Sequence, residues 1–186
     1  MSLVELIAQA DERGLTVSGL ACLDRCVPLL GGDDEAVRPL WASLAEDAAP
    51  GDWAERLEQT RVRLDATADG ARDCVAEARR MLATAPAERS GAGLREWADA
   101  CSLGALRIHR LLDGAVAGDA GLADACREGP ADGLSPLLAA ELRRQTAVLE
   151  LMSAHGPAGL RGALEVSTEG RRVLRAAVSR RSRRDG

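Results

Sequence analysis

At 186 residues the chain is long enough to bury a real core without disulfides or metals, and a single domain is the default. Lysine, asparagine, phenylalanine and tyrosine are absent, so apart from Trp41, Trp53 and Trp97 the core must be leucine, valine, alanine and methionine, a palette that suits helices and suits strands badly. The net charge of -5 is uneven: residues 1–170 carry 28 acidic against 17 arginine side chains, and 171–186 carry seven arginines and Asp185, so the acidic body excludes a broad nucleic-acid surface.

Ser2 with Glu5 three residues on is a capping box that starts the first helix, and Gly14 is expected to end it. A second, shorter helix is expected after Ser18, with Leu20, Leu23, Val27 and Leu30 at helical spacing and a stop at 28–32. Asp33 and Asp34 can cap a third over 35–47, its regular part delayed by Pro39. Residues 1–48 thus read as short acidic helices covering the rest: through residue 60 there are 12 acidic side chains and four arginines.

After the turn at 49–52, Leu57, Thr60, Leu64, Ala68, Ala71, Val75, Ala78 and Leu82 keep intervals of three and four, which predicts one helix of about 30 residues with a bend at Gly70. A Pro/Ser/Gly loop follows. Leu94, Trp97, Cys101, Ala105, Ile108, Leu112 and Val116 define the next long helix, blurred at its end by Gly114 and Gly118. A short helix over 120–128 stops at Gly129-Pro130, and Ser135-Pro136 is an N-cap and N1 pair for a helix carrying Leu138, Leu142, Leu149 and Met152 to His155-Gly156-Pro157. The last helix, about 158–178, presents Leu160, Ala163, Ser167, Gly170, Leu174 and Ala177, small enough to admit a close neighbour. Residues 180–186 lack an apolar period and read as an arginine-rich flexible tail.

These elements predict an all-α fold: an antiparallel bundle of about four long helices over 52–179, with the shorter N-terminal helices packed over it, in one domain over 1–179. The scarcity of residues with AT-rich codons suggests a GC-rich genome of the actinobacterial kind. No apolar run reaches the roughly 20 residues of a membrane span, and the first residues resemble no export signal, which points to a cytoplasmic protein.

The chemistry-bearing residues each have a plainer explanation. Cys22 and Cys26 share a helix face, but paired C-x-x-C units are missing, and all five cysteines fall in helical patterns; they read as core thiols, with no metal or cofactor implied. Carboxylate-bridged di-iron bundles need Glu-x-x-His, and the positions three before His109 and His155 are Leu106 and Met152. His109 falls at the edge of an apolar stripe without an identifiable nucleophile or orienting carboxylate. The stretch 132–135 ahead of Glu141-Leu142 resembles the phosphopantetheine region of acyl carrier proteins over barely a dozen residues. Gly133 stands where the modified serine belongs, and Ser135 is better explained as a helix cap. No catalytic constellation emerges.

The expected function is therefore a non-enzymatic interaction or regulatory module that binds a protein partner or a second copy of itself. Two alternatives accompany it. One is a small-molecule-binding bundle, sensor or biosynthetic enzyme, with an internal pocket built from Arg61, His109, Gln145 and Arg171, polar groups at or near helix seams. The other is nucleic-acid association through the tail, whose candidates for any anionic contact are Arg175, Arg180, Arg181, Arg183 and Arg184.

Overall fold

The computed structural model describes residues 1–65, 73–114, 121–129 and 133–185. It is an all-α antiparallel bundle with no strand among the described residues. The helices are α1 (Leu3–Gln9), α2 (Glu12–Cys26), α3 (Arg38–Ala42), α4 (Asp52–Asp65), α5 (Asp73–Ala83), α6 (Gly91–Leu112), α7 (Gly121–Glu128), α8 (Pro136–His155) and α9 (Leu160–Asp185).

The N-terminal region departs from expectation in a way that organises everything else. Gly14 does not end the first helix. Asp11 accepts a hydrogen bond from the Gly14 amide at 2.7 Å and caps α2, which therefore begins at Glu12, well before Ser18. From Gly14 to Cys26 every residue of α2 is buried, packed between α6, α8 and α9. A helix buried all round has no polar stripe, so its periodicity is flat and its start is hard to read. It supplies the fourth long helix beside α6, α8 and α9, while short α1 and α3 lie over the outside. The capping box at Ser2 forms as expected, with Ser2 N–H donating to Glu5 Oε2 at 2.7 Å.

The predicted helix of about 30 residues is instead two. Arg61 Nε donates to Leu82 O at 3.3 Å, whereas 21 residues of unbroken helix would separate these positions by about 31 Å. Arg61 also donates to Ala83 O and Ala85 O, using its planar fork to satisfy carbonyls at the end of α5. Ala68, Gly70 and Ala71 lie outside the described residues, as do Val116, Gly118, Pro130 and Asp132.

Elsewhere the apolar patterns hold. Leu94, Trp97, Cys101, Ala105, Ile108 and Leu112 are all buried along α6, and Ser135 caps α8 by accepting from Leu138 N–H at 3.2 Å. Ala163, Ser167, Gly170, Leu174 and Ala177 form the buried face of α9, and their small side chains bring it against α2 and α8. Helix α9 continues to Asp185, so the arginine segment that was expected to lose regular structure is helical. No described helix is long and apolar enough to cross a membrane.

Candidate functional site

Where α2, α6, α8 and α9 meet, the core is charged. Arg25 of α2 forms a two-pronged pair with Glu141 of α8, Nε to Oε2 at 2.8 Å and Nη2 to Oε1 at 2.7 Å, and neither side chain is exposed at all. Removing two charges from water costs several kcal/mol per ion, so such a pair persists only with good geometry and further hydrogen bonds. Gln145, one turn on in α8, supplies them: its Nε2 donates to Glu141 Oε1 at 2.9 Å and to Ser102 O at 3.1 Å, while Ser102 Oγ donates to Gln145 Oε1 at 2.6 Å. The amide thus ties α8 to α6 through both its polar atoms.

His109 of α6 completes this cluster. Its Nδ1 lies 2.7 Å from Ala105 O and its Nε2 lies 3.5 Å from Glu141 Oε2. The ring is fully buried. Burial pushes its pKa below the ordinary histidine value, and the neighbouring Glu141 opposes but does not reverse that shift. For Glu141 the balance is different. Burial is the largest influence and pushes it up, yet Arg25, His109 and the Gln145 amide together outweigh burial and leave it below the usual carboxylate range.

A second cluster adjoins the first on the next residue of α2. Asp24 accepts from Trp41 Nε1 at 2.9 Å and pairs with Arg171 of α9. Arg171 Nε is 3.3 Å from Asp34, which also pairs with Arg175 at the surface. A line of charge therefore runs from the bundle centre out to the exposed side of α9.

Of the four pocket residues expected from sequence, His109 and Gln145 meet around Glu141, and Arg171 belongs to the adjoining cluster. Arg61 shares no partner with them; it fastens α4 to the end of α5, pairs with Glu58, and borders an open groove of about 320 Å³ with Leu30, Val62, Leu64 and Leu82. The grouping thus keeps three members and loses Arg61. Sequence reasoning missed Arg25, Glu141, Asp24 and Ser102. For Glu141 a signal existed, because it falls on the stripe Leu138, Glu141, Gln145, Val148, Leu149 and Met152 that α8 buries. Asp24 and Arg25 gave none, since they sit in a helix without an exposed side.

The five cysteines are all buried. Burial raises the thiol pKa of Cys22 to about 12 and that of Cys26 and Cys101 well above the ordinary value, the opposite of an activated nucleophile. Among the described residues no group of three histidine, cysteine or acidic side chains is placed to hold a metal ion.

The outer side of α9 is the other charged feature. Arg172, Arg175, Arg180, Arg183 and Arg184 are exposed, and at 100° per residue they span about half of the helix, with buried Leu174 on the other side. From Arg172 to Arg184 the stripe is about 18 Å long. Arg181 departs from the expected tail set: it is partly buried, turned toward Leu111 O at 3.4 Å. Arg172, not expected, takes its place.

The fold and these two features define a helical bundle with a sealed charged seam and a basic outer helix face. Comparison of the chain with protein-family models, with curated proteins and with solved structures gives no match.

Proposed function

We propose that the protein is a non-enzymatic interaction module that docks an acidic protein segment on the outer face of α9. The observation that carries the reading is the exposed stripe of Arg172, Arg175, Arg180, Arg183 and Arg184 on one continuous helix, in a chain whose overall charge is -5. Concentrating cations on one face of an otherwise acidic molecule steers an anionic partner to that face and repels it elsewhere.

The charged seam supports the same reading. Arg25, Glu141 and Gln145 are hydrogen-bonded to one another and His109 lies against Glu141, all in the core, an arrangement that suits fixing helix register better than receiving a substrate. A short acidic protein segment suits the stripe better than a nucleic acid: a long polyanion also meets the acidic body, and no aromatic side chain accompanies the arginines to stack on bases.

The test is fluorescence anisotropy of the full chain with a labelled 20-residue oligoglutamate and, separately, a 20-base-pair duplex. Oligoglutamate should bind, weaken steeply between 50 and 200 mM salt, and lose at least about tenfold in affinity in the triple variant Arg180→Glu, Arg183→Glu, Arg184→Glu. Absence of oligoglutamate binding, or binding that the triple variant leaves unchanged, overturns the proposal. Tighter binding of the duplex replaces it with the nucleic-acid alternative.

A further inference from the structure

The two ring nitrogens of His109 stand in opposite circumstances. Nδ1 lies 2.7 Å from Ala105 O, and because a carbonyl only accepts, Nδ1 carries a proton. In the neutral ring Nε2 is then a bare lone pair. It has no hydrogen-bond partner among the described residues, and Glu141 Oε2, itself an acceptor, lies 3.5 Å from it. Two acceptors face one another, and neither side chain is exposed.

From this geometry we infer that His109 and Glu141 form an acid-operated latch, in which a proton taken up at His109 Nε2 loosens the seam holding α6 against α8 and α2. The surroundings explain why uptake loosens it. From α8 come Glu141 and Arg144; from α2 come Arg25 and, beyond it, Cys22 and Cys26. Helix α9 presents Gly170 against the stems of Arg25 and Arg144, and its Glu169 lies outward at 3.5 Å from Arg144 Nη2. In α5 Glu77 pairs with Arg80, in α7 Arg127 pairs with Asp99 of α6, and α1 brings the apolar Leu3, Leu6 and Ile7.

An imidazolium is therefore a third cation beside Arg25 and Arg144, against one buried carboxylate. Glu141 already accepts from Arg25 Nε, Arg25 Nη2 and Gln145 Nε2. To accept from the new N–H, Oε2 and the imidazole must close from 3.5 Å to about 2.8 Å, while Oε2 already accepts from Arg25 Nε. The proton and the arginine compete for the same oxygen.

The sign follows from the geometry and the burial. Burial holds the folded-state pKa of His109 below its ordinary 6.5, so below that pH the unfolded chain binds the proton that the folded chain refuses. The seam is at full strength above about pH 6.5 and weakens as pH falls toward the folded-state value. Glu141, held below 4.5, keeps its charge through the upper part of this window.

Imidazole nitrogen NMR of the full chain at pH 7.5 should show His109 protonated at Nδ1 and bare at Nε2, and on acidification His109 should remain neutral below the ordinary histidine value of 6.5. Amide exchange along the α6–α8 seam, corrected for intrinsic rates, should accelerate by about tenfold between pH 7.5 and 5.0 in the wild type and stay level in His109→Gln. Protonation of Nε2 at pH 7.5, titration of His109 at or above 6.5, or wild-type seam exchange that does not change with pH overturns the inference. The first two readouts need no variant, so they decide the matter even where His109→Gln fails to fold.

Discussion

Arg25 crosses α9 at Gly170, where the absence of a β-carbon leaves room for its side chain. A Cβ there would lie 2.9 Å from both Arg25 Cγ and Arg144 Cδ, and nearer still to Arg25 Cδ. Arg25 cannot swing aside, because both its Nε and Nη2 are committed to Glu141. Gly170→Ala is therefore expected to cost about 1–3 kcal/mol, the range of overpacking, as measured by urea unfolding. A variant as stable as the parent would mean that the two arginine stems move freely.

Gly19 makes the same kind of crossing against a stiffer neighbour. A Cβ on it would fall 2.8 Å from two atoms of the Trp97 ring, which is held by its own Nε1 donating to Met81 O at 2.9 Å and by edge-to-face contact with Trp53 at 6.2 Å. Gly19→Ala should therefore destabilise at least as much as Gly170→Ala, and it should also change the tryptophan fluorescence of the folded state. Unaltered emission with unaltered stability would contradict the close packing of α2 on α6.

Breaking the buried pair from one side should cost more than replacing it. Arg25→Met leaves Glu141 as an uncompensated buried carboxylate, at about 3–5 kcal/mol, whereas Arg25→Met with Glu141→Leu should recover most of that loss. Denaturant midpoints of the two single variants and the double variant measure it. A double variant less stable than either single would show that the pair itself, and not the stranded charge, carries the stability.

Acid should expose Glu141 separately from His109. Its folded-state pKa lies below 4.5, so its contribution is complete above that value and is lost as pH falls through the folded-state value. Asp24 has the opposite sign, because burial raises it despite Arg171, and its ionisation opposes stability as pH rises through its folded-state value. In unfolding curves from pH 6 to 3, Glu141→Gln should flatten the acid limb relative to the wild type. An acid limb of unchanged slope would assign that limb to other carboxylates.

The thiols offer a simple check on burial. All five should react with an aromatic disulfide reagent only as fast as the chain opens, and together in denaturant. Rapid labelling of Cys22, Cys26 or Cys101 in the native protein would place α2 and α6 apart.

The fold class was legible because α8 begins at Ser135-Pro136 and ends at His155-Gly156-Pro157, both strong signals, and α6 keeps its apolar interval without interruption. Helix α2 was read as starting after Ser18 because Gly14 looks like a helix end, when Asp11 in fact caps α2 there, and nothing local marks Asp24 and Arg25 as buried against partners 147 and 116 residues away. No local pattern reports a partner at that distance. The break between α4 and α5 was hidden for the converse reason, since apolar intervals that continue in register look alike whether the chain runs on or folds back. Gln145 was singled out because it interrupts an apolar stripe and His109 because it lies at the edge of one; Glu141 interrupts a stripe too, and the same criterion, applied at every position of α8, identifies it.

The central position of α2 bears on how the protein is made. The helix emerges among the first residues of the chain, yet the carboxylate that neutralises Arg25 is Glu141 and the guanidinium that neutralises Asp24 is Arg171. During synthesis both charges must remain hydrated until the C-terminal helices appear, so the centre of the molecule closes last, and its formation depends on contacts of high sequence separation. A product that stops short of α8 retains an arginine and an aspartate it cannot bury. Such a product should therefore be cut by an added protease faster than a chain that carries α8 and α9.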